Sequence, residues 1–205
     1  MKLQLTLVLI CVLFPKALTL NCYQCIPSAS GTCTDTQTTC TDQCGSATAV
    51  VTIGGVQQQV STKTCLASGL CVSGSLNIGF GTMTFNSQCC STNLCNSQNV
   101  AALSQGSANG NKCYTCINND CTGTVNCAGT EDRCISATVY YSNSQVTAKG
   151  CVSKSLCTTD TSNLQAVGVT GSVTCCEGNL CNSAEGVKLS LLIMLVPLLS
   201  SILFI

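Results

Sequence analysis

The sequence predicts an all-β, disulfide-rich protein built from two tandem modules, and three observations lead there. Cysteine supplies 21 of the 205 residues, a density typical of small secreted domains that lack room for a full hydrophobic core. Twenty of these cysteines form two runs of ten with the same order of gaps: 22, 25, 33, 40, 44, 65, 71, 89, 90, 95 and then 113, 116, 121, 127, 134, 151, 157, 175, 176, 181. Between them lie short stretches rich in Val and Thr and broken by Gly and Asn, with no helical period outside the two ends.

The two ends account for much of the 45% hydrophobic content. Residues 1–19 are expected to be a signal peptide: Met1 and Lys2 start it, Leu5 to Phe14 is its apolar run, and Ala17 and Thr19 are small residues placed for cleavage after Thr19. A membrane-spanning helix would need about 20 apolar residues, roughly twice that run. From Leu189 to Ile205 the chain is apolar apart from Ser190, Ser200 and Ser201. Small residues at Asn182, Ser183 and Ala184 precede it, the pattern of a glycosylphosphatidylinositol (GPI) attachment signal, with residues 183–205 as the propeptide. The polar spacer Glu185 to Lys188 is shorter than the usual spacing of about 8–12 residues, so Ser183, Ala184 and Asn182 all stand as attachment candidates.

The cysteine runs mark a duplication. Both open on Cys-Tyr-x-Cys, at Cys22 and at Cys113, and both close on Cys-Cys-x-x-Asn-Leu-Cys-Asn, at Cys89 to Asn96 and at Cys175 to Asn182. The modules are thus 20–96 and 113–182. Residues 97–112 (SQNVAALSQGSANGNK) have the small, polar composition of a flexible linker. An even, fully pairable cysteine set in the oxidising secretory path argues for disulfides and against zinc or thiol chemistry at the Cys-x-x-Cys pairs. A disulfide closing a loop of about 15 residues contributes on the order of 3 kcal/mol by restricting the unfolded chain, so five in each module stand in for a core.

Hairpins are expected between the cysteines. Ala47 to Ile53 and Val56 to Thr64 flank Gly54-Gly55, which supplies the positive φ angles of a two-residue turn. The second module repeats this as Ile135 to Tyr141 and Val146 to Gly150 around Ser142, Asn143 and Ser144. A further hairpin is expected where Leu76, Ile78 and Phe80 alternate before Gly81, and where Val167, Val169 and Val173 flank Gly168 and Gly171.

Leu20-Asn21-Cys22-Tyr23-x-Cys25 at the start, the Cys-Cys-x-x-Asn-Leu-Cys-Asn close and the ten cysteines of each module resemble the lymphocyte antigen-6/urokinase receptor (UPAR/Ly6) family. The resemblance implies two three-finger, snake-toxin-like domains with five disulfides each. Carried over by cysteine order, it implies the pairs Cys22 with Cys44, Cys25 with Cys33, Cys40 with Cys65, Cys71 with Cys89 and Cys90 with Cys95. In the second domain it implies Cys113 with Cys134, Cys116 with Cys121, Cys127 with Cys151, Cys157 with Cys175 and Cys176 with Cys181. It also implies that the closing asparagines, Asn96 and Asn182, brace the disulfide knot. The urokinase receptor has three such domains, the first lacking one disulfide, so two complete modules argue against carrying urokinase binding over.

Composition narrows the function further. Lys and Arg number 8 against 8 Asp and Glu, and there is no histidine or tryptophan. No basic field is present to hold nucleic acid. Without histidine, a hydrolytic Ser or Thr would depend on Lys63, Lys149, Lys154 or a carboxylate as base, and nothing in the sequence sets one beside a nucleophile. No Asn heads an N-glycosylation triplet.

The expectation is a non-enzymatic, GPI-anchored binding protein or co-receptor on the extracellular face of the plasma membrane. It would use no cofactor or metal, touch the membrane through its lipid alone, and engage an extracellular or cell-surface protein through disulfide-fixed hairpins, which lose little entropy on binding. The alternative is a secreted inhibitor or modulator of an extracellular enzyme, like the family's phospholipase inhibitors, or of a receptor. Candidate contacts are Ile53 and Val56 on the first module's middle finger, Phe80, Met83 and Phe85 on its third, and Tyr140 and Tyr141 in the second module.

Overall fold

The computed structural model describes residues 19–27, 32–117, 120–141, 144–157 and 170–183. Residues 1–18 of the expected signal peptide, residues 184–205, and Val167, Gly168 and Val169 lie outside the described residues. The chain divides into two compact units, one comprising the residues to Ser73 with Met83–Ser104, the other Gly74–Thr82 with the residues from Gln105 onward.

In the first unit β1 (Leu20–Gln24) pairs antiparallel with β2 (Thr36–Cys40). The longer hairpin is β3 (Gln43–Ile53) with β4 (Val56–Leu66), in unbroken register from Gln43 opposite Leu66 to Ile53 opposite Val56. Gly54 and Gly55 make the turn with φ of 57° and 83°. Positive φ at both turn positions matches the right-handed twist of the flanking strands and excludes most side chains. A 3₁₀ turn at Ser68–Leu70 follows, and the chain then passes through β5 (Gly74–Asn77) and β6 (Gly81–Cys90). In the first unit β6 lies next to β3, and beyond the Cys25–Lys63 bridge no strand among the described residues pairs with the other edge of β4. The core is sulfur rather than hydrocarbon: Cys22, Cys40 and Cys44 are buried, with Leu20, Cys65, Cys90 and Cys95 packed around them.

Residues 97–104 differ from the expected flexible linker. Hydroxyls and amides of the sheet hold their carbonyls: Ser46 Oγ donates to Gln98 O at 3.0 Å, Thr48 Oγ1 to Val100 O at 2.6 Å, Asn86 Nδ2 to Ala101 O at 2.8 Å and Thr84 Oγ1 to Leu103 O at 2.9 Å. Val100 is buried. Small, polar composition removes the hydrophobic signal but leaves the backbone free to be captured. The end of that stretch, Ala108 to Lys112, lies in β7.

The second unit pairs β7 (Ala108–Ile117) with β8 (Asp120–Ala128), with two register irregularities. Its main sheet runs in the order β11 (Thr170–Cys176), β9 (Arg133–Tyr141), β10 (Ser144–Val152), β5. A short helix, α1 (Lys154–Cys157), follows β10. In this unit β5 pairs antiparallel with β10. Asn77 lies opposite Cys151 and Leu76 opposite Val152, Ser153 N donates to Ser75 O at 2.9 Å, and Ser75 N donates to Ser153 Oγ at 2.9 Å. Gly150 makes this possible, since a Cβ there would collide with the Asn77 carbonyl. Around Cys113, Cys127, Cys134 and Cys151 the second sulfur core repeats the first.

Candidate binding surface

Each unit is held by the same two devices, disulfides and a bracing asparagine. In the first, Cys22 is bonded to Cys44, Cys25 to Cys33, Cys40 to Cys65, Cys71 to Cys89 and Cys90 to Cys95. In the second unit the bonds join Cys113 to Cys134, Cys116 to Cys121, Cys127 to Cys151, Cys157 to Cys175 and Cys176 to Cys181. The sulfurs of Cys113, Cys127 and Cys151 lie within 4.8 Å of one another, but each belongs to a disulfide and offers no thiolate to a metal.

Asn96 accepts from Tyr23 N–H and donates to Tyr23 O and Gly45 O. Asn182 accepts from Tyr114 N–H at 2.9 Å and donates to Tyr114 O at 3.0 Å and Ile135 O at 2.8 Å. Two further repeated features escaped the sequence reading. Asn93 accepts from Asn21 N–H and Asn179 from Lys112 N–H, beside Leu94 and Leu180, the non-glycine residues with positive φ among those described. Lys63 and Lys149, two residues before Cys65 and Cys151, are both buried. Lys63 Nζ donates to Asp35 and to Ser97 O, each at 2.7 Å, and Lys149 Nζ donates to Asn182 O at 2.7 Å. Both amines therefore hold the chain together. The repeated spacing was the available signal, but in the sequence a lysine in a strand reads as a solvated charge.

With the framework fixed, the apolar candidates separate. Ile53 and Val56 form the last cross-strand pair of the β3–β4 hairpin, 57% and 66% exposed, and Val60 on the same strand face is 44% exposed. Gln58 and Val60 sit opposite Val51 and Ala49, so the tip carries an apolar stripe on one face. Met83 and Phe85 are half-buried on one face of β6. Phe80 is 53% exposed and belongs to the second unit, whereas Ile53 belongs to the first. Tyr140 and Tyr141 end β9, and their side chains lie outside the described residues.

A family model for the u-PAR/Ly-6 domain matches residues 18–98 and 109–184. The chain belongs to the u-PAR/Ly-6 family. Among its relatives, the urokinase plasminogen activator surface receptor of Mus musculus is 31% identical over 109 residues, 48% of this chain and 33% of the relative. The protein of the same name from Rattus norvegicus is 29% identical over 109 residues, again 48% of this chain and 33% of the relative. The chain thus spans about a third of the length of the curated relatives it matches. Among the described residues of this u-PAR/Ly-6 protein no helix is long and apolar enough to cross a membrane. Every buried side-chain nitrogen and oxygen among them has a hydrogen-bond partner. Among the described residues of these u-PAR/Ly-6 units, the most exposed large apolar side chain is Val56 at the β3–β4 tip.

Proposed function

We propose that this protein is a non-enzymatic, GPI-anchored binding protein or co-receptor of the extracellular face of the plasma membrane, engaging an extracellular or cell-surface protein through its fingers. The observation that carries the reading is the β3–β4 hairpin. Its base is locked by Cys22–Cys44 and Cys40–Cys65, and its tip presents Ile53 and Val56 to solvent. A preorganised apolar tip of this kind binds with little loss of conformational freedom.

Membership in the u-PAR/Ly-6 family and likeness to two cell-surface receptors support the receptor role. The lack of histidine and the structural employment of Lys63 and Lys149 support a role without catalysis. Domain limits of 20–96 and 113–182, a signal peptide over 1–19 and a propeptide over 183–205 complete the proposal. Asn182 spends its side-chain amide on the brace, which favours Ser183 or Ala184 for the lipid.

Treating intact expressing cells with phosphatidylinositol-specific phospholipase C tests the anchor. Release of the surface-labelled protein into the medium is expected. Protein that is already in the medium, with none releasable from the surface, would establish the secreted inhibitor instead.

A further inference from the structure

The outer edge of β4 from Val56 to Thr62 is uncharged, self-complementary and unpaired with any strand among the described residues, and we infer that two copies of this chain join there by antiparallel β4–β4 pairing centred on Gln58. The backbone sets the phase of the edge. Lys63 N–H donates to Cys25 O at 2.9 Å and Cys25 N–H donates to Lys63 O at 2.8 Å, so the backbone groups of Lys63 point away from β3. Such groups alternate along an antiparallel strand, which turns those of Ser61, Gln59 and Gln57 towards the same side. No strand among the described residues pairs with them there.

The side chains read the same in both directions. Val56-Gln57-Gln58-Gln59-Val60 is a palindrome. In a two-fold antiparallel pair centred on Gln58, Val56 faces Val60 of the second copy, Gln57 faces Gln59 of the second copy, and Gln58 faces itself. The outward-turned residues Gln57 and Gln59 then meet each other, which is the requirement for a hydrogen-bonded pair, while Gln58 occupies the closer, non-hydrogen-bonded position. The palindrome and the hydrogen-bonding phase therefore share one centre, and a shift of one residue would break both matches. The Val56 and Val60 contacts would also join the two exposed apolar stripes into one.

The usual protections against such pairing are missing. From Ile53 to Thr62 there is no charged residue and no proline, and the β3–β4 register has no bulge. The nearest charge, Lys63, is buried and committed to Asp35. Two copies thus meet without like-charge repulsion. The inference needs no heterologous ligand, and its cell-surface test rests on the proposed anchor, whose failure would show separately as loss of surface signal.

The test uses the full chain expressed on intact cells with two different tags, with energy transfer between tag-bound Fab fragments normalised to surface level. Wild-type pairs are expected to give transfer independent of surface density. Gln58→Lys in both copies sets like charges face to face across the two-fold axis and should lower the signal at least tenfold. Gln58→Lys paired with Gln58→Glu should restore at least half of it. Gln57→Pro, which removes an outward N–H that β3 does not use, should abolish transfer at unchanged surface level. Absence of transfer in wild type, transfer unaffected by Gln58→Lys, or failure of the mixed charge pair to restore it would overturn the inference.

Discussion

Asn96 closes on Tyr23 from 73 residues away, its Oδ1 accepting the Tyr23 N–H at 2.9 Å and its Nδ2 donating to the Tyr23 carbonyl at 2.8 Å. A second donation, to Gly45 O at 3.0 Å, ties the same side chain to β3. One amide thus joins the first strand, the long hairpin and the final disulfide loop. Replacing it by Ala leaves a backbone N–H and two carbonyls without their partner in a buried site, a cost of about 2–4 kcal/mol. Asn96→Ala is expected to lower the denaturation midpoint of the first unit and to speed amide exchange in β1 and β3. Asn182→Ala should do the same to β7 and β9, each effect confined to its own unit and resolved by hydrogen-exchange mass spectrometry.

Gly55 and Gly150 make a contrasting pair. Around Gly55 a Cβ would meet nothing within 4 Å, so Gly55→Ala carries only the conformational cost of its φ of 83°. That cost is about 1 kcal/mol. At Gly150 the φ is ordinary but the Asn77 backbone occupies the space, and Gly150→Ala should cost about 2–3 kcal/mol through forced displacement of β5. Equilibrium denaturation of the two variants checks the order. Equal losses would contradict the close approach of β5 to β10.

How far these features were legible in the sequence follows from the same residues. Gly54-Gly55 announced a two-residue turn because few other dipeptides tolerate its backbone angles, and β3 and β4 flank it in the structure. The cysteine gaps gave the duplication, and the family resemblance, not the spacing, gave a connectivity. The strap at 97–104 was hidden because its partners are hydroxyls on strands, which carry no periodic signal. Likewise the pairing of β5 with β10 depends on a missing Cβ at Gly150 and on Ser153, residues far away in the chain. Ile53 and Val56 were legible as a tip. Sequence order grouped Phe80 with Met83 and Phe85 on one finger, and the backbone contacts of its segment lie with the other unit.

Glu131 gives the protein a pH dependence. Its side chain is fully buried, and that burial raises its pKa above the ordinary carboxylate value, outweighing the hydrogen bonds from Ala128 N–H and the Ser75 hydroxyl. The folded chain therefore holds this proton more tightly than the unfolded chain does. Its contribution to stability is complete below the ordinary value of 4.5 and is lost as pH rises through the raised one. Melting of the second unit followed from pH 4 upward should show this decline. Glu131→Gln keeps an acceptor for Ala128 N–H and buries no charge, so its melting temperature should stay flat over that window. An identical slope in the variant would remove Glu131 as the cause.

The account turns on the claim that the β3–β4 tip is the recognition face of a binding protein. Proximity labelling on intact cells, comparing wild type with Ile53→Asp/Val56→Asp at matched surface level, addresses it most directly. Both side chains are exposed, so the double substitution should leave folding intact while placing charge in an apolar contact. At least a tenfold loss of the principal labelled extracellular partner is the result predicted. An unchanged set of labelled neighbours at unchanged intensity would contradict it.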